Sequence, residues 1–297
     1  MSISITAKDV ADLRTMTGAG MMDCKKALVD AEGNVDKAIE LLRERGVAKA
    51  AKKEGRIAAE GVVGAYVNGN IGVLIEVNCE SDFVSKGEKF HAIVDTLAKV
   101  VAENQPKDVE ELNDCKVDGV TVREFITNQT VVIGEKISIR RFVVYSTKGK
   151  IETYIHMGGK VGVMVEADPF MAGAELLHDV ALQIAANKPE YVAKEDVPAS
   201  VIEKEKEILL VQMQNDEKNA NKPREILEKI VMGKIGKYYT ENCLLEQAYI
   251  KDDSMTVSKF IGDNFKIARF TRWEMGEGLE KRNDDFAAEV AAQTKKQ

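Results

Sequence analysis

The chain is short of the residues that most often announce a chemical purpose. Its 297 residues include three histidines, four cysteines, five prolines and one tryptophan, and aromatic residues make up 6%. The cysteines, Cys24, Cys79, Cys115 and Cys243, form no C-x-x-C pair, and no histidine stands at metal-ligand spacing. That argues against a zinc module or a disulfide framework and reads as four reduced thiols. No apolar run approaches the ~20 residues that span a bilayer. The opening MSISITAKDVADL lacks the charged-then-apolar order of a secretory signal. We expect a soluble, cytoplasmic protein without membrane association. A basic excess is missing too: Lys+Arg 42 against Asp+Glu 49 leaves a formal net charge of -7. Nucleic-acid affinity comes mostly from basic side chains on phosphates, so the balance speaks against direct nucleic-acid binding.

Catalytic signatures are also lacking. Gly159-Lys160 and Gly236-Lys237 both miss the earlier glycine of a G-x-x-x-x-G-K-(S/T) phosphate loop. No G-x-S-x-G elbow accompanies the His156-Met157-Gly158-Gly159 turn, and no H-E-x-x-H or carboxylate constellation stands out. We expect no covalent enzyme chemistry, no cofactor and no metal.

What is present is the balance of a globular protein, 44% apolar and 31% charged, at a length that suggests two or three domains. Residues 1–46 read as a small, loosely tethered three-helix unit. Thr6 caps the first helix with Asp9 reaching back, Thr17-Gly18-Ala19-Gly20 breaks it, and a second helix runs from Met21 to about Ala31. Asn34 caps a third, for which Gly46 is the expected stop. The basic stretch Lys49–Arg56 follows, either a solvated helical linker or a phosphate-binding patch.

Strand patterning begins near residue 60. Gly64–Val77 (GAYVNGNIGVLIEV) carries an Asn-Gly turn between two β-rich runs, a strong hairpin signal. A helix is expected from about Lys86 to Ala102. The text then recurs: Tyr154–Ala167 (YIHMGGKVGVMVEA) repeats a tyrosine, a glycine turn and (I/V)-G-V-x-(I/V)-E, and a second apolar helix follows. Both helices end alike, at Asn104-Gln105-Pro106 and Asn187-Lys188-Pro189. An internal repeat of this length implies two similar α+β subdomains. Between them and the chain's end, residues 196–240 read as an antiparallel helical hairpin, with Val201, Ile208, Leu209 and Val211 on one helix. Ile226, Leu227, Ile230 and Val231 supply the other, and Pro223 lies just inside its start. Residues 265–273 alternate as a strand, with Phe265, Ile267, Arg269, Thr271 and Trp273 on one side. A terminal helix is expected over about Asp284 to Ala292.

Two stretches carry a resemblance. Thr17–Leu28 (TGAGMMDCKKAL) and Glu76–Val84 (EVNCESDFV) together closely resemble the elongation factor Ts family, and the likeness runs the whole length, through Arg272–Gly278 (RWEMGEG). The resemblance implies an α+β fold. Its parts are an N-terminal ubiquitin-associated-like three-helix domain with a basic linker (1–56) and duplicated core subdomains (57–145, and 146–195 with 241–274). A coiled-coil arm (196–240) and a C-terminal helical module (275–297) complete it. The implied activity is guanine-nucleotide exchange on elongation factor Tu, which leaves open a homodimer or a 2:2 complex.

The resemblance also implies which residues touch that partner. Ser81, Asp82, Phe83 and Val84 would enter beside its Mg²⁺ and phosphate site, Ser81 standing where many members have threonine. His156, Ile133 and Gly134 match contact positions, as do Arg14, Met21, Met22 and Lys25 on an N-terminal docking face. Ile250 matches a further patch, in which Lys251 departs from the expected apolar residue. From the residues alone other readings stand. Phe83 could plug the core beneath its own helix, His156 could be a hydrogen-bonded surface histidine, and the methionine pair could fill a small core. A binding scaffold without exchange activity would find Phe83 dispensable, and an RNA-binding reading would rest on Lys49, Lys52, Lys53 and Arg56 alone.

Overall fold

A computed structural model describes residues 5–216 and 222–280. At the N-terminus, Thr6 caps helix α1 (Ala7–Thr17): its hydroxyl accepts from the Asp9 N–H at 3.2 Å while the Asp9 carboxylate accepts from the Thr6 N–H at 2.8 Å. Gly18, at φ 67°, ends the helix. Helices α2 (Met21–Asp30) and α3 (Val35–Ala51) close a core of Val10, Leu13, Cys24, Ala27, Leu28 and Ala38. The expected stop at Gly46 is wrong: α3 continues to Ala51. Gly46 is buried where a later helix crosses, and a Cβ there would lie 3.4 Å from the Val131 side chain. Close packing, not termination, is what the missing side chain serves.

Strands β1 (Glu60–Asn68) and β2 (Ile71–Cys79) form the expected hairpin about Gly69-Asn70, paired from Glu60 opposite Cys79 to Asn68 opposite Ile71. A one-turn helix α4 (Asp82–Ser85) separates β2 from α5 (Glu88–Asn104). Then come α6 (Val109–Asp114), a small ribbon of β3 (Lys116–Val117) and β4 (Val120–Thr121), and α7 (Val122–Ile133). Strand β5 (Ser138–Ser146) returns antiparallel to β2, giving the order β1-β2-β5. Phe90, Ile93, Val94 and Leu97 of α5 cover one face of that sheet, over Val73, Ile75 and Val77. The N-terminal unit is not loosely tethered. Arg43 pairs with Glu124 at 3.2 Å, Gly18 lies against Val132, and Lys53 donates to the Gly134 carbonyl.

The second sheet follows the same plan. Strands β6 (Lys150–His156) and β7 (Val161–Phe170) form a hairpin, and α8 (Ala174–Asn187) covers it through Leu177, Val180 and Ile184. The chain then runs out along α9 (Ala199–Gln214) and back along α10 (Arg224–Asn242). It passes β8 (Ala248–Tyr249), β9 (Asp252–Thr256) and α11 (Val257–Ile261) and enters β10 (Phe265–Glu274), antiparallel to β7. In the helical hairpin, Ile202 and Met213, three turns apart, pack with Leu227, Val231 and Ile235. Ile208, Val211 and Ile226, assigned above to the apolar stripe, face solvent, and Pro223 stands just ahead of α10 rather than in it. The alternation read for residues 265–273 also breaks. Register shifts near Ile267 leave Phe265, Ile267 and Phe270 against α8's core and turn Trp273 to the opposite face. The expected terminal helix lies outside the described residues. Among those described, no helix is long and apolar enough to cross a membrane, and all four cysteines are free.

The repeated motif explains how the two sheets meet. Gly72 and Gly162 occupy its glycine position, and a Cβ would come within 2.7 Å of Ile151 at the first and 2.3 Å of Val63 at the second. Leu74 and Met164 pack in the seam with Val63, Tyr145 and Ile151. The motif's glutamates are buried there. A bulge in β5 sets Arg140 and Arg141 against Glu76, at 2.9 and 2.7 Å, and the Gly276 N–H donates to the same carboxylate at 2.8 Å. Glu166 takes Arg269 of β10 at 2.5 Å. Two of these arginines then stack on the other sheet: Arg141 on Trp273, 4.5 Å from the ring centroid, and Arg269 on Tyr145 at 4.0 Å. Removing Glu76 takes the buried carboxylate away from two guanidinium groups and from the Gly276 N–H. Glu76→Ala is therefore expected to cost about 3–5 kcal/mol of stability, measured by urea unfolding, and a loss below about 1 kcal/mol contradicts this account of the seam.

Candidate functional site

Strand β2 ends at Cys79, whose buried thiol donates to the Ser81 carbonyl at 3.2 Å. Burial, reinforced by the Glu135 carboxylate, pushes that thiol up to about 12, so it stays protonated and unreactive. Ser81 then caps α4, its hydroxyl accepting from the Val84 N–H at 3.3 Å. Within this single turn the side chains divide. Val84 packs partly into the core beneath α5, Ser85 is buried, and the Phe83 ring is 85% exposed. The reading of Phe83 as a plug under its own helix is thereby corrected; Phe90, in the first turn of the next helix, α5, is the aromatic buried in that core. Lys86 bonds Asp82 at 2.6 Å and, as donor and then as charge, holds the carboxyl below its usual range, with a smaller contribution from Lys160. An open depression of about 410 Å³ runs from Phe83 and Val84 past Gly87 and Phe90 to Ile133.

Ile133 and Gly134 end α7, Gly134 at φ 88°. The next residue ties them to the Phe83 turn. The Glu135 carboxylate accepts from the N–H groups of Glu80 and Ser81 at 3.1 and 2.9 Å and from the Ser81 hydroxyl at 2.5 Å. In return, Glu80 accepts from the Lys136 N–H at 2.6 Å and pairs with Arg56 at 3.2 Å. Sequence reasoning missed Glu135. The one signal available was a carboxylate directly after a helix-ending glycine, and nothing local shows that it reaches back 54 residues.

His156 ends β6 with its ring exposed and its Nδ1 2.8 Å from the Tyr154 hydroxyl. The turn after it docks on the first sheet: the Gly159 carbonyl accepts from the Val63 N–H at 2.8 Å, and Lys160 bonds Glu60 at 2.8 Å. A Cβ at Gly159 would lie 2.4 Å from Val62, so only glycine fits. Because Glu60 pairs with Cys79, the His156 turn sits at the same end of the sheets as α4. Met157, passed over in the sequence, stands exposed at its tip.

Met21 and Met22 are both exposed, at 54% and 75%, so neither fills the small core. Arg14 and Lys25 are exposed as well. Gly18, just before this face, touches Val132 beside Ile133, so the methionines, the end of α7 and the Phe83 turn follow one another across contacting elements. Ile250 belongs elsewhere. It is exposed at the β8–β9 turn, held by α8 through its N–H donating to the side-chain Oε1 of Gln183 at 2.8 Å, and Lys251 bonds Asp179 at 2.6 Å. The basic stretch is largely spent on internal contacts: Lys49 on Asp23, Lys53 on Gly134 and Arg56 on Glu80. Two of its four cations, Lys49 and Arg56, are thereby paired with carboxylates, which weakens a phosphate-binding patch there.

Comparison with known proteins agrees over nearly the whole chain. The family model described as Elongation factor TS matches residues 80–277. An elongation factor Ts of Syntrophotalea carbinolica is 46% identical over 307 residues, covering 99% of this chain and 100% of the relative. Another from Clostridium botulinum (strain Alaska E43) is 46% identical over 97% of this chain and 99% of the relative. One from Halothermothrix orenii is 44% identical over 99% of this chain and 100% of the relative.

A ring this exposed contributes little to the fold. Phe83→Ala is expected to leave unfolding free energy within about 0.5 kcal/mol of wild type in urea titration. A loss of about 2 kcal/mol or more would place the ring in the core after all.

Proposed function

This chain belongs to the elongation factor Ts family, and from that premise we propose that it is a guanine-nucleotide exchange factor for elongation factor Tu, acting without covalent chemistry. The observation that carries the reading is Phe83: a rigid apolar ring, almost fully exposed, on a capped turn fixed to a stiff two-sheet body. An aromatic ring in such a place gains by entering a pocket.

A G domain holds its nucleotide through a backbone cradle around the phosphates and through Mg²⁺. Nanomolar retention of GDP is worth roughly 12 kcal/mol. A partner that binds the empty form more tightly than the loaded form weakens nucleotide binding by the same coupling energy. In this reading Ser81, Asp82, Phe83 and Val84 enter beside the Mg²⁺ and phosphate site and displace the ion. His156 presses on the phosphate-loop side, and Ile133 and Gly134 make further contacts. Arg14, Met21, Met22 and Lys25 dock the N-terminal unit, and Ile250 a remoter patch. GTP then loads the emptied site during translation elongation in the cytoplasm.

The finer architecture belongs to the same reading: a ubiquitin-associated-like domain with its linker over 1–56 and duplicated subdomains over 57–145 and 146–195 with 241–274. The coiled-coil arm takes 196–240 and a C-terminal module 275–297. The shared strand order of the two sheets and the two buried glutamates of the repeat support the duplication.

Stopped-flow release of labelled GDP from elongation factor Tu tests the mechanism. With wild-type protein at saturation, release accelerates, and Phe83→Ala reduces the accelerated rate by about thirtyfold, the effect of losing an aromatic worth about 2 kcal/mol at a docking centre. Wild-type acceleration by Phe83→Ala contradicts the wedge and favours a scaffold.

A further inference from the structure

The geometry points to Glu135 as a positioning residue for exchange, one that fixes the Phe83 turn rigidly on the end of α7 without itself touching the partner. The inference rests on the exchange reading above. Its basis is the crossed pair of carboxylates. Glu135, just past α7, accepts from both N–H groups that open the Phe83 turn and from the Ser81 hydroxyl. Glu80, which opens that turn, accepts in the opposite direction from the Lys136 N–H. Each loop satisfies donors of the other, through charge-assisted bonds roughly twice as strong as neutral ones. Arg56, on Glu80, offsets the repulsion between the two acids.

Helix α4 needs such a clasp. It is four residues long, far below the length at which a helix holds itself in water. The burial of Ser85 and the packing of Val84 fix its inner side, while Glu135, the Ser81 cap and the Cys79 thiol on the Ser81 carbonyl fix where the turn starts. Binding energy then goes into opening the partner's site, not into ordering the ring. Loosening the clasp should therefore slow the release step while leaving docking, which the other contact elements supply, nearly intact. Ser81 is the shared point, since its hydroxyl both donates to Glu135 and accepts from Val84. Threonine keeps that hydroxyl and alanine does not.

The test is release of fluorescent GDP from elongation factor Tu across a concentration series of each full-length variant, with thermal unfolding run alongside. Glu135→Ala and Ser81→Ala are expected to lower the saturating rate about tenfold or more, with the half-saturating concentration within about twofold of wild type. Glu135→Gln, which retains one acceptor oxygen, falls between and serves if the alanine variant unfolds early. Glu135→Ala combined with Phe83→Ala is no slower than Phe83→Ala alone, because no ring is left to position. Wild-type rates from both Glu135 variants, with Phe83→Ala slow, overturn the positioning role and leave the wedge standing. A double variant slower by the product of the single effects also overturns it. Wild-type release by Phe83→Ala removes the underlying reading instead.

Discussion

Two sheets pressed closely enough to bury a carboxylate from each: the rest of the molecule depends on that contact. Glycines at Gly72 and Gly162 permit the approach, and Leu74 and Met164 fill the seam. Glu76 and Glu166 enter it already matched to arginines from the third strand of their own sheets, and those arginines stack on aromatic rings of the opposite sheet. Burying charge is costly unless partners are in place, so the arrangement tolerates little sliding between the sheets. What it fixes is the end of the body where β2 stops at Cys79 and the turn after β6 docks on β1. A stiff seam thereby sets the spacing of the Phe83 and His156 turns.

That stiffness suits the proposed activity, which rests on a difference between two affinities. An exposed aromatic ring on a mobile loop would lose part of its binding energy to ordering. Here the ring stands on a turn whose cap, inner face and starting point are all held from behind.

Much of this was legible in the sequence because it is local. The reciprocal Thr6–Asp9 cap, the Asn-Gly hairpin and the repeated (I/V)-G-V-x-(I/V)-E text each depend on residues a few positions apart. The repeat pointed to two similar hairpins, and each lies in its own three-stranded sheet; it did not show that its glycine and glutamate form the contact between the sheets. Apart from the placing of Pro223 at the start of α10, the failures are long-range. Gly46 reads as a helix stop until Val131 is known to cross it. The alternation at 265–273 reads as one face until the register shifts near Ile267. Ile208 and Val211 read as buried although the partner helix meets Ile202 and Met213 instead. In the candidate site, Phe83 was open to opposite readings because a lone aromatic carries no direction. Glu135 was invisible because its partners are 54 residues away.

The most direct test of the central claim is thermodynamic. The affinity of this protein for elongation factor Tu should be measured by calorimetry with the nucleotide site empty and again with GDP and Mg²⁺ present. GDP affinity should be measured with and without this protein. The account predicts tighter binding to the empty form by about a hundredfold or more, and the same ratio for the weakening of GDP, as linkage requires. Equal affinity for the empty and loaded forms would contradict it, since a ligand that does not distinguish two states cannot shift one into the other.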